Sequence, residues 1–357
     1  MFEQAKGSVH MPQTEVRRAP FDRTGAGAAI ERWTLSSGQV EATVLSLGAT
    51  LHGLTAPDRD GRPGQVLLGS EELAAVLGPA RHYGATVGRY ANRIADSRIT
   101  IDGEEHRLAP TGNGVTLHGG PDGFANRLWQ ATELPGAGVR LTLHSRDGDQ
   151  GFPGALDVTV DYVLAGSDLT VTYHAVTTRP TVVNLTNHAY FNLAGEGSGD
   201  VLGHLLTLAA DHYTPVDERQ IPLGPYEPVK GTPFDFTAPR AVGEAIEEAG
   251  GYDHNWVLRQ YGNAAGVEPT PAAYLEDPGS GRTLEVLTTE PGIQVYTANG
   301  FDGAVTGPRG VPYGRYSGIA LETQHHPDSP HRPEYPSTVL RPGEEFRSVT
   351  VFRLGTS

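Results

Sequence analysis

Alternation with a period of two constrains this chain more than any other feature. In "ALDVTVDYVLAGSDLTVTYHAVTT", Leu156, Val158, Val160, Tyr162 and Leu164 fall on one face of an extended segment, with Asp157, Thr159 and Asp161 on the other. After Ala165, Gly166, Ser167 and Asp168 the alternation resumes, with Leu169, Val171, Tyr173 and Ala175 opposite Thr170, Thr172 and His174. A strand sorts residues this way and a helix does not, and the turn residues between the two runs predict a hairpin.

Similar runs recur at "VEATVLSLGATLHGL", "VRLTLHS", "HLLTLAA", "RTLEVLTT" and "FRSVTVFRL", so strands fill the chain from near its start to its last residues. The breaks between them come from 46 glycines and 27 prolines. Helical pattern is confined to "SEELAAVLG", with Ser70 as N-cap and Gly78 as stop, and to a turn or two in "PRAVGEAIEEAGG". That is too little helix for alternating βαβ units, and "GAGAAI" at 25–30 reads as a turn, not a dinucleotide fingerprint. No linker, fixed-period repeat or low-complexity segment interrupts the series. We therefore expect an all-β fold, one large antiparallel β-sandwich domain over residues 15–357 with two big sheets packed face to face and few short helices. Residues 1–14 are expected to form a loose tail. A chain of 357 residues that is 38% hydrophobic can bury a sizeable core for such a sandwich.

Composition narrows the function. With 27 Lys+Arg against 42 Asp+Glu the net charge is -15, which repels phosphate backbones and anionic lipid, so neither nucleic acid nor membrane is an expected partner. Lysine occurs only as Lys6 and Lys230, which leaves no phosphate loop and few Schiff-base candidates. There is no cysteine, which excludes disulfides, thiolate nucleophiles and cysteine-held metals. The polar start and the absence of a long apolar run make a soluble cytoplasmic protein the expectation.

Five stretches set charged or imidazole groups among aromatics and glycines. They are "VGRYANRIADSRI" with Arg89, Asn92 and Arg93, "TLHGGPDGFANRLW" with His118, "NLTNHAYFNLAG" with His188 and Tyr190, "GGYDHNWVL" with Asp253, His254 and Trp256, and "GIALETQHHPDSP" with Glu322 and Gln324. On residues alone, Arg93 fits a surface ion pair, His118 a loop histidine bonded to backbone, and Asp253 a turn cap. His188 is harder to read that way, because Val183, Leu185 and Phe191 imply burial and the surrounding asparagines imply a hydrogen-bond network. Glu322 follows Ile319, Ala320 and Leu321 in a strand-like run, where a carboxylate needs a partner or a task. His325, His326, Asp328 and His331 in "HHPDSPH" are metal-ligand types, but adjacent strand histidines face apart and two prolines stiffen the path between the others. The expectation there is a rigid surface loop that braces Glu322, with no metal.

Taken together, "GRYANRI", "LHGG", "NLTNHAYFNLAG", "GYDHNWVL", "PGIQVYT" and "LETQHHPDSP", in that order, resemble the aldose 1-epimerase (galactose mutarotase) family over nearly the whole chain beyond the tail. The resemblance implies a galactose mutarotase-like supersandwich and an isomerase that interconverts α and β anomers of free aldoses such as galactose and glucose. It implies His188 as general acid and Glu322 as general base. Asn92, Arg93, His118, Tyr190, Asp253 and Gln294 are implied as sugar-binding groups. A monosaccharide is the implied substrate, no cofactor is implied, and the chain is expected as monomer or homodimer. One departure is His331, where the family commonly carries asparagine, which touches the bracing of its loop.

This chemistry suits those residues. Anomer exchange requires the C1 hydroxyl to lose a proton while the ring oxygen gains one and the C1–O5 bond breaks. A carboxylate and an imidazolium, with reference pKa values of about 4.3 and 6.5, bracket a window in which one is ionised and the other protonated. Each positioned proton transfer contributes about 10² to 10⁴ in rate. The asparagines around His188 are expected to fix its ring orientation and tautomer, and Trp256 or Tyr296 to lie either against a sugar face or in the core. Alternatives from the same residues are a hexose-6-phosphate 1-epimerase, a glycoside hydrolase using Asp253 with Glu322, and a noncatalytic sugar-binding sandwich.

Overall fold

The structure, a computed structural model, describes residues 14–135, 138–259 and 268–357. The expected tail lies outside the described residues except for Thr14.

The predicted hairpin forms as Leu156–Ala165 and Asp168–Thr177, antiparallel in unbroken register from Leu156 opposite Thr177 to Ala165 opposite Asp168. Gly166, at φ 61°, supplies the left-handed residue that a two-residue turn needs. Every residue of its apolar face, from Leu156 to Leu164 and from Leu169 to Ala175, is at most 1% exposed. The hairpin supplies the third and fourth strands of a nine-stranded antiparallel sheet with strand order 130–134, 138–145, 156–165, 168–177, 346–356, 282–288, 270–276, 205–208 and 240–241. Its central partner is the last strand, Phe346–Thr356, so the end of the chain closes the middle of the sheet.

Two further antiparallel sheets pack on the same core. One has five strands between Glu15 and Gln65, in sequence order. The other has six, in the order 190–191, 319–324, 292–296, 253–258, 210–214 and 227–228. An antiparallel bridge between Leu67 and Phe191 and the bond from the Leu68 amide to the Tyr190 carbonyl (2.9 Å) join these two sheets edge to edge. The second layer of the expected sandwich is thus divided. Val44 and Leu51 from the five-stranded sheet, Val158 and Tyr162 from the nine-stranded one, and Trp256, Ile293 and Leu321 from the six-stranded one share a single apolar cluster.

Helix is as scarce as expected, but shorter. The first helix is one turn, Leu73–Val76, with Glu72 at its N-cap; Ser70 instead accepts the Glu72 amide through its hydroxyl (3.3 Å) one step earlier. The second is Ile246–Ala249, ended by Gly250 at φ 71°. No helix among the described residues is long and apolar enough to cross a membrane.

Candidate active site

The six-stranded sheet builds the site by the same alternation that builds the core. Trp256, Ile293, Val295, Ile319 and Leu321 point into the apolar cluster, so Asp253, Asn255, Gln294, Glu322 and Gln324 share the opposite face. Gln294 stands directly across from Glu322 on one side and Asn255 on the other. Gln294 donates from Nε2 to Asp253 Oδ1 (2.7 Å), and Arg93 Nη2 lies 3.6 Å from Asp253 Oδ2.

His188 arrives from a different element. The short strand Thr186–Asn187 pairs with Thr86–Val87, and Tyr190–Phe191 pairs with the Ile319–Gln324 strand; His188 sits at the break between them. Its amide donates to Ala85 O (3.0 Å), and its carbonyl accepts from Gly84 (2.8 Å). A Cβ on Gly84 would lie 2.0 Å from Leu51 O, so the close approach that carries this segment past His188 requires glycine. The result is His188 Nε2 at 3.5 Å from Glu322 Oε1, the two residues 5% and 2% exposed.

His118 completes the cluster from the "LHGG" loop, with ligand atoms of His118, His188 and Glu322 all within 4.8 Å of one another. Residues 118–120 all hold positive φ, and a Cβ on Gly119 would fall 2.0 Å from Gly88 O, which explains the glycines. The Asn92 amide donates to His118 Nδ1 (3.2 Å). That bond occupies the Nδ1 lone pair, so a neutral His118 carries its proton on Nε2 and presents a fixed N–H donor. The same tautomer makes His118 a poor metal ligand through Nε2, although two imidazoles and a carboxylate are a ligand-type set. Asn92 itself sits at φ 62°, a conformation asparagine tolerates, and its Oδ1 accepts from the Arg93 amide (2.9 Å) and guanidinium (3.4 Å).

Burial dominates the electrostatics. It pushes the His188 imidazole down to about 4 and raises the Glu322 carboxyl well above the usual carboxylate range, with the nearby Asp253 adding to the rise and Arg93 opposing it. His118 is driven well below its ordinary value, first by burial and then by His82, His188, Arg93 and Arg81. Beside the cluster a cleft of about 250 Å³ opens, lined by Arg81, His82, Arg93, Asn113, Leu117 and Gln220 among others.

Comparison with known proteins decides the family. The sequence profile of aldose 1-epimerases matches residues 31–353. Galactose mutarotase of Rattus norvegicus is 43% identical over 333 residues, covering 93% of this chain and 96% of its own length. Aldose 1-epimerase of Escherichia coli K12 is 41% identical over 321 residues, 87% of this chain and 91% of its own. Among solved structures, an aldose epimerase homologue from C. elegans superposes with a TM-score of 0.83 at 30% identity, covering 89% of this chain and 97% of that one. The chain belongs to the aldose 1-epimerase family.

In this aldose 1-epimerase, seven of the eight anticipated site residues converge through their polar groups: Asn92, Arg93, His118, His188, Asp253, Gln294 and Glu322. Tyr190 is beside them in a different capacity. Its ring packs 4.9 Å from that of His188 and belongs to a second apolar cluster with Ala320 and Tyr313.

One expectation needs correction, and others left open are now resolved. The asparagines around His188 do not hold its ring. Asn184 bonds the Ala91 and His325 carbonyls and the His325 amide, Asn187 bonds Gly84 O and Tyr162 Oη, and Asn192 bonds Gly199 O and Ser317 O. Short amides placed between paired strands satisfy neighbouring backbone, and the His188 ring is held by aromatic contacts and its approach to Glu322. Trp256 is fully buried, its indole N–H donating to Phe234 O (3.0 Å), so it is core; Tyr296 borders a depression of about 300 Å³ with Tyr83 and Phe301. Arg89 turns away from the site and clips Ser145, Pro153 and Gly154 through four bonds of 2.6–3.3 Å.

The "HHPDSPH" segment is a brace, but a buried one that holds Arg93 more than Glu322. His326 and Asp328 are each 1% exposed. Asp328 donates its amide to Arg93 O (2.9 Å) and accepts the Ala95 amide at Oδ1 (2.9 Å), which fixes both ends of the Arg93–Ala95 strand. His331 Nδ1 meets the same Oδ1 at 2.7 Å, and Asp328 raises its pKa, so the departure at 331 places an imidazole on the brace. His326 bonds Asn255 (2.9 Å).

One residue near the site had no strand pattern to mark it. His82, in "RHYG" between the first helix and the strand Thr86–Val87, brings a third imidazole to the cluster. Its ring lies 4.9 Å from His118, edge-on, and 6.1 Å from His188 at 16° between planes. The only available signal was an imidazole and an aromatic squeezed between the Gly78–Pro79 break and Gly84.

Proposed function

We propose that this chain, with residues 15–357 acting as one unit, accelerates the interconversion of α and β anomers of free aldoses such as galactose and glucose. His188 acts as acid and Glu322 as base. The supporting observation is the 3.5 Å approach of His188 Nε2 to Glu322 Oε1 beside the polar face carrying Asp253 and Gln294.

The pair carries one proton in total throughout the reaction. The form that opens the ring is an imidazolium and a carboxylate. Glu322 removes the C1 hydroxyl proton, the C1–O5 bonding electrons pass to O5, and O5 takes the proton from His188. The open-chain aldehyde then lies beside a neutral imidazole and a neutral carboxyl. Rotation about C1–C2 presents the other carbonyl face; O5 attacks it and returns its proton to His188, while Glu322 returns its proton to O1. In water the neutral pair lies about 3 kcal/mol above the ion pair, from the reference pKa values. Burial lowers the His188 pKa and raises that of Glu322, shifts that close this gap and reverse it, so the shared proton rests on Glu322 and the imidazolium–carboxylate arrangement is reached by its transfer to His188. The His118 N–H is a fixed donor for a sugar oxygen, and Arg93, Asp253 and Gln294 supply charge-assisted and amide bonds to hydroxyls. The cleft of about 250 Å³ reaches the cluster at Arg93 and His82 and has the volume for one monosaccharide.

Free sugars fit better than sugar phosphates. Of the three cleft arginines two are already paired, Arg93 with Asp253 and Arg219 with Asp96 at 3.4 Å and Asp217 at 3.5 Å, and Glu218 lines the same cleft, which leaves Arg81 against a full phosphate charge. The acidic balance likewise suggests action without nucleic acid or membrane. Polarimetry on freshly dissolved α-D-galactose and α-D-glucose tests the reading. The approach to equilibrium rotation should quicken in proportion to enzyme concentration, and a rate equal to that of buffer refutes it.

A further inference from the structure

We propose that His82 is a substrate-contacting residue that sets which sugar hydroxyl pattern the site accepts, by exchanging a hydrogen bond with one ring hydroxyl from the cleft wall. This rests on the anomer-exchange reading of the same site and assigns a side chain that the resemblance does not.

Three observations support it. First, His82 lines the cleft together with Arg93, whereas the next residue, Tyr83, faces the opposite way and packs on Tyr190 and Phe301 at ring separations of 4.9 and 5.0 Å. The imidazole and not the phenol is thus turned to the sugar side. Second, its place is fixed from both directions. Gly84, two residues on, is bonded to His188 through backbone, and the His82 ring rests against His118 and His188. A ring held this way offers its nitrogens at a defined position, which is what discrimination between epimeric hydroxyls needs. Third, no side-chain hydrogen bond of His82 occurs among the described residues, whereas the site's other polar side chains, Asn92, Arg93, Asp253 and Gln294, are interbonded. Burial, with His188 and Arg81 adding to it, pushes His82 down to about 3, so at neutral pH the ring is uncharged and has one donor and one acceptor, a match for a hydroxyl.

The experiment combines His82→Phe, which keeps an aromatic ring between His118 and His188, with the 2-, 3-, 4- and 6-deoxy forms of galactose. The KM for galactose should rise about threefold to tenfold, the effect of losing one neutral hydrogen bond, with kcat within about twofold. One deoxy sugar, the one lacking the hydroxyl that meets His82, should show no further KM penalty in the variant, while the others keep their wild-type penalties. His82→Gln, which restores a donor and an acceptor, should recover part of the loss and guards against a misfolded Phe variant. Unchanged KM in His82→Phe overturns the proposal. So do wild-type penalties retained by all four deoxy sugars, or a displaced pH profile without a KM change, which would mean that His82 only tunes His188. Galactose affinity measured by calorimetry reads the same coupling without turnover, so a wild-type protein that fails to exchange anomers defeats the functional reading and not this one.

Discussion

Replacing Asp253 by asparagine separates its electrostatic role from its shape. In the structure its carboxylate lies 3.6 Å from Arg93 and accepts a 2.7 Å bond from Gln294, with both charged side chains about one-fifth exposed. At an effective dielectric constant near 20, the Arg93–Asp253 attraction is about 4–5 kcal/mol before desolvation. Removing the negative charge has two consequences for Glu322 that point the same way. Asp253 no longer opposes ionisation of Glu322, and Arg93, released from its partner, favours it more. The Glu322 pKa must therefore fall. Above that pKa the acid/base pair loses its single proton and no acid remains, so the alkaline limb of kcat/KM should move to lower pH. The lost charge-assisted bond to a sugar hydroxyl should cost about 1.5–3 kcal/mol, or roughly 10- to 150-fold in kcat/KM at neutral pH. Stopped polarimetry of α-D-galactose from pH 4 to 10 measures both. An alkaline limb that stays put or moves up, or a loss below about threefold, refutes the reasoning.

Three further outcomes follow from the same geometry. The wild-type kcat/KM should be level above an acid limb near pH 4, where His188 takes a second proton, up to an alkaline limb above the ordinary carboxylate range, where Glu322 gives up the pair's last one; a bell centred between pH 4.3 and 6.5 contradicts the burial shifts. Glu322→Gln should lose about 10² to 10⁴ in kcat yet be more stable by about 1–2 kcal/mol at pH 7, because the Glu322 pKa is raised in the fold and its ionised form in the unfolded chain is favoured above about pH 4.5; calorimetric melts at pH 4 and 7 should show the gain shrinking at the lower value. Arg89→Leu should cost about 3 kcal/mol or more, since it strips the carbonyls of Ser145, Pro153 and Gly154 of a buried donor, while folded protein well below its Tm keeps its kcat; urea titration beside initial rates separates the two.

How much of this was legible in the residues depends on whether a feature is local. The hairpin at 156–177 was readable because alternation and turn chemistry lie within one run, and the opposite facing of Leu321 and Glu322 follows from the same period. Which sheet each strand joins was not readable, since the pairing of 346–356 between 168–177 and 282–288 spans about half the chain. Helix ends misled for a related reason. Ser70 has the chemistry of a cap, but its hydroxyl is used one residue before the helix begins. At the site, residue type and motif order identified the polar groups that converge, while direction was hidden. Arg89 and Arg93 stand four apart in one motif, yet one clips a loop and the other faces Asp253. The asparagines flanking His188 advertise a network without saying that it serves backbone. His82 was invisible because its partners, His118 and His188, come from loops distant in sequence.

The central claim is that His188 and Glu322 act on the two ends of one C1–O5 bond, and the most direct test is a double-mutant comparison of anomer exchange by magnetisation transfer between the α and β H1 signals of galactose. His188→Asn and Glu322→Gln should each lower kcat by about 10² to 10⁴, and the double variant should lose little more than the worse single one, because a bond with one end unserved gains little from the other. Losses that multiply in the double variant, or exchange near the wild-type rate in either single one, contradict it.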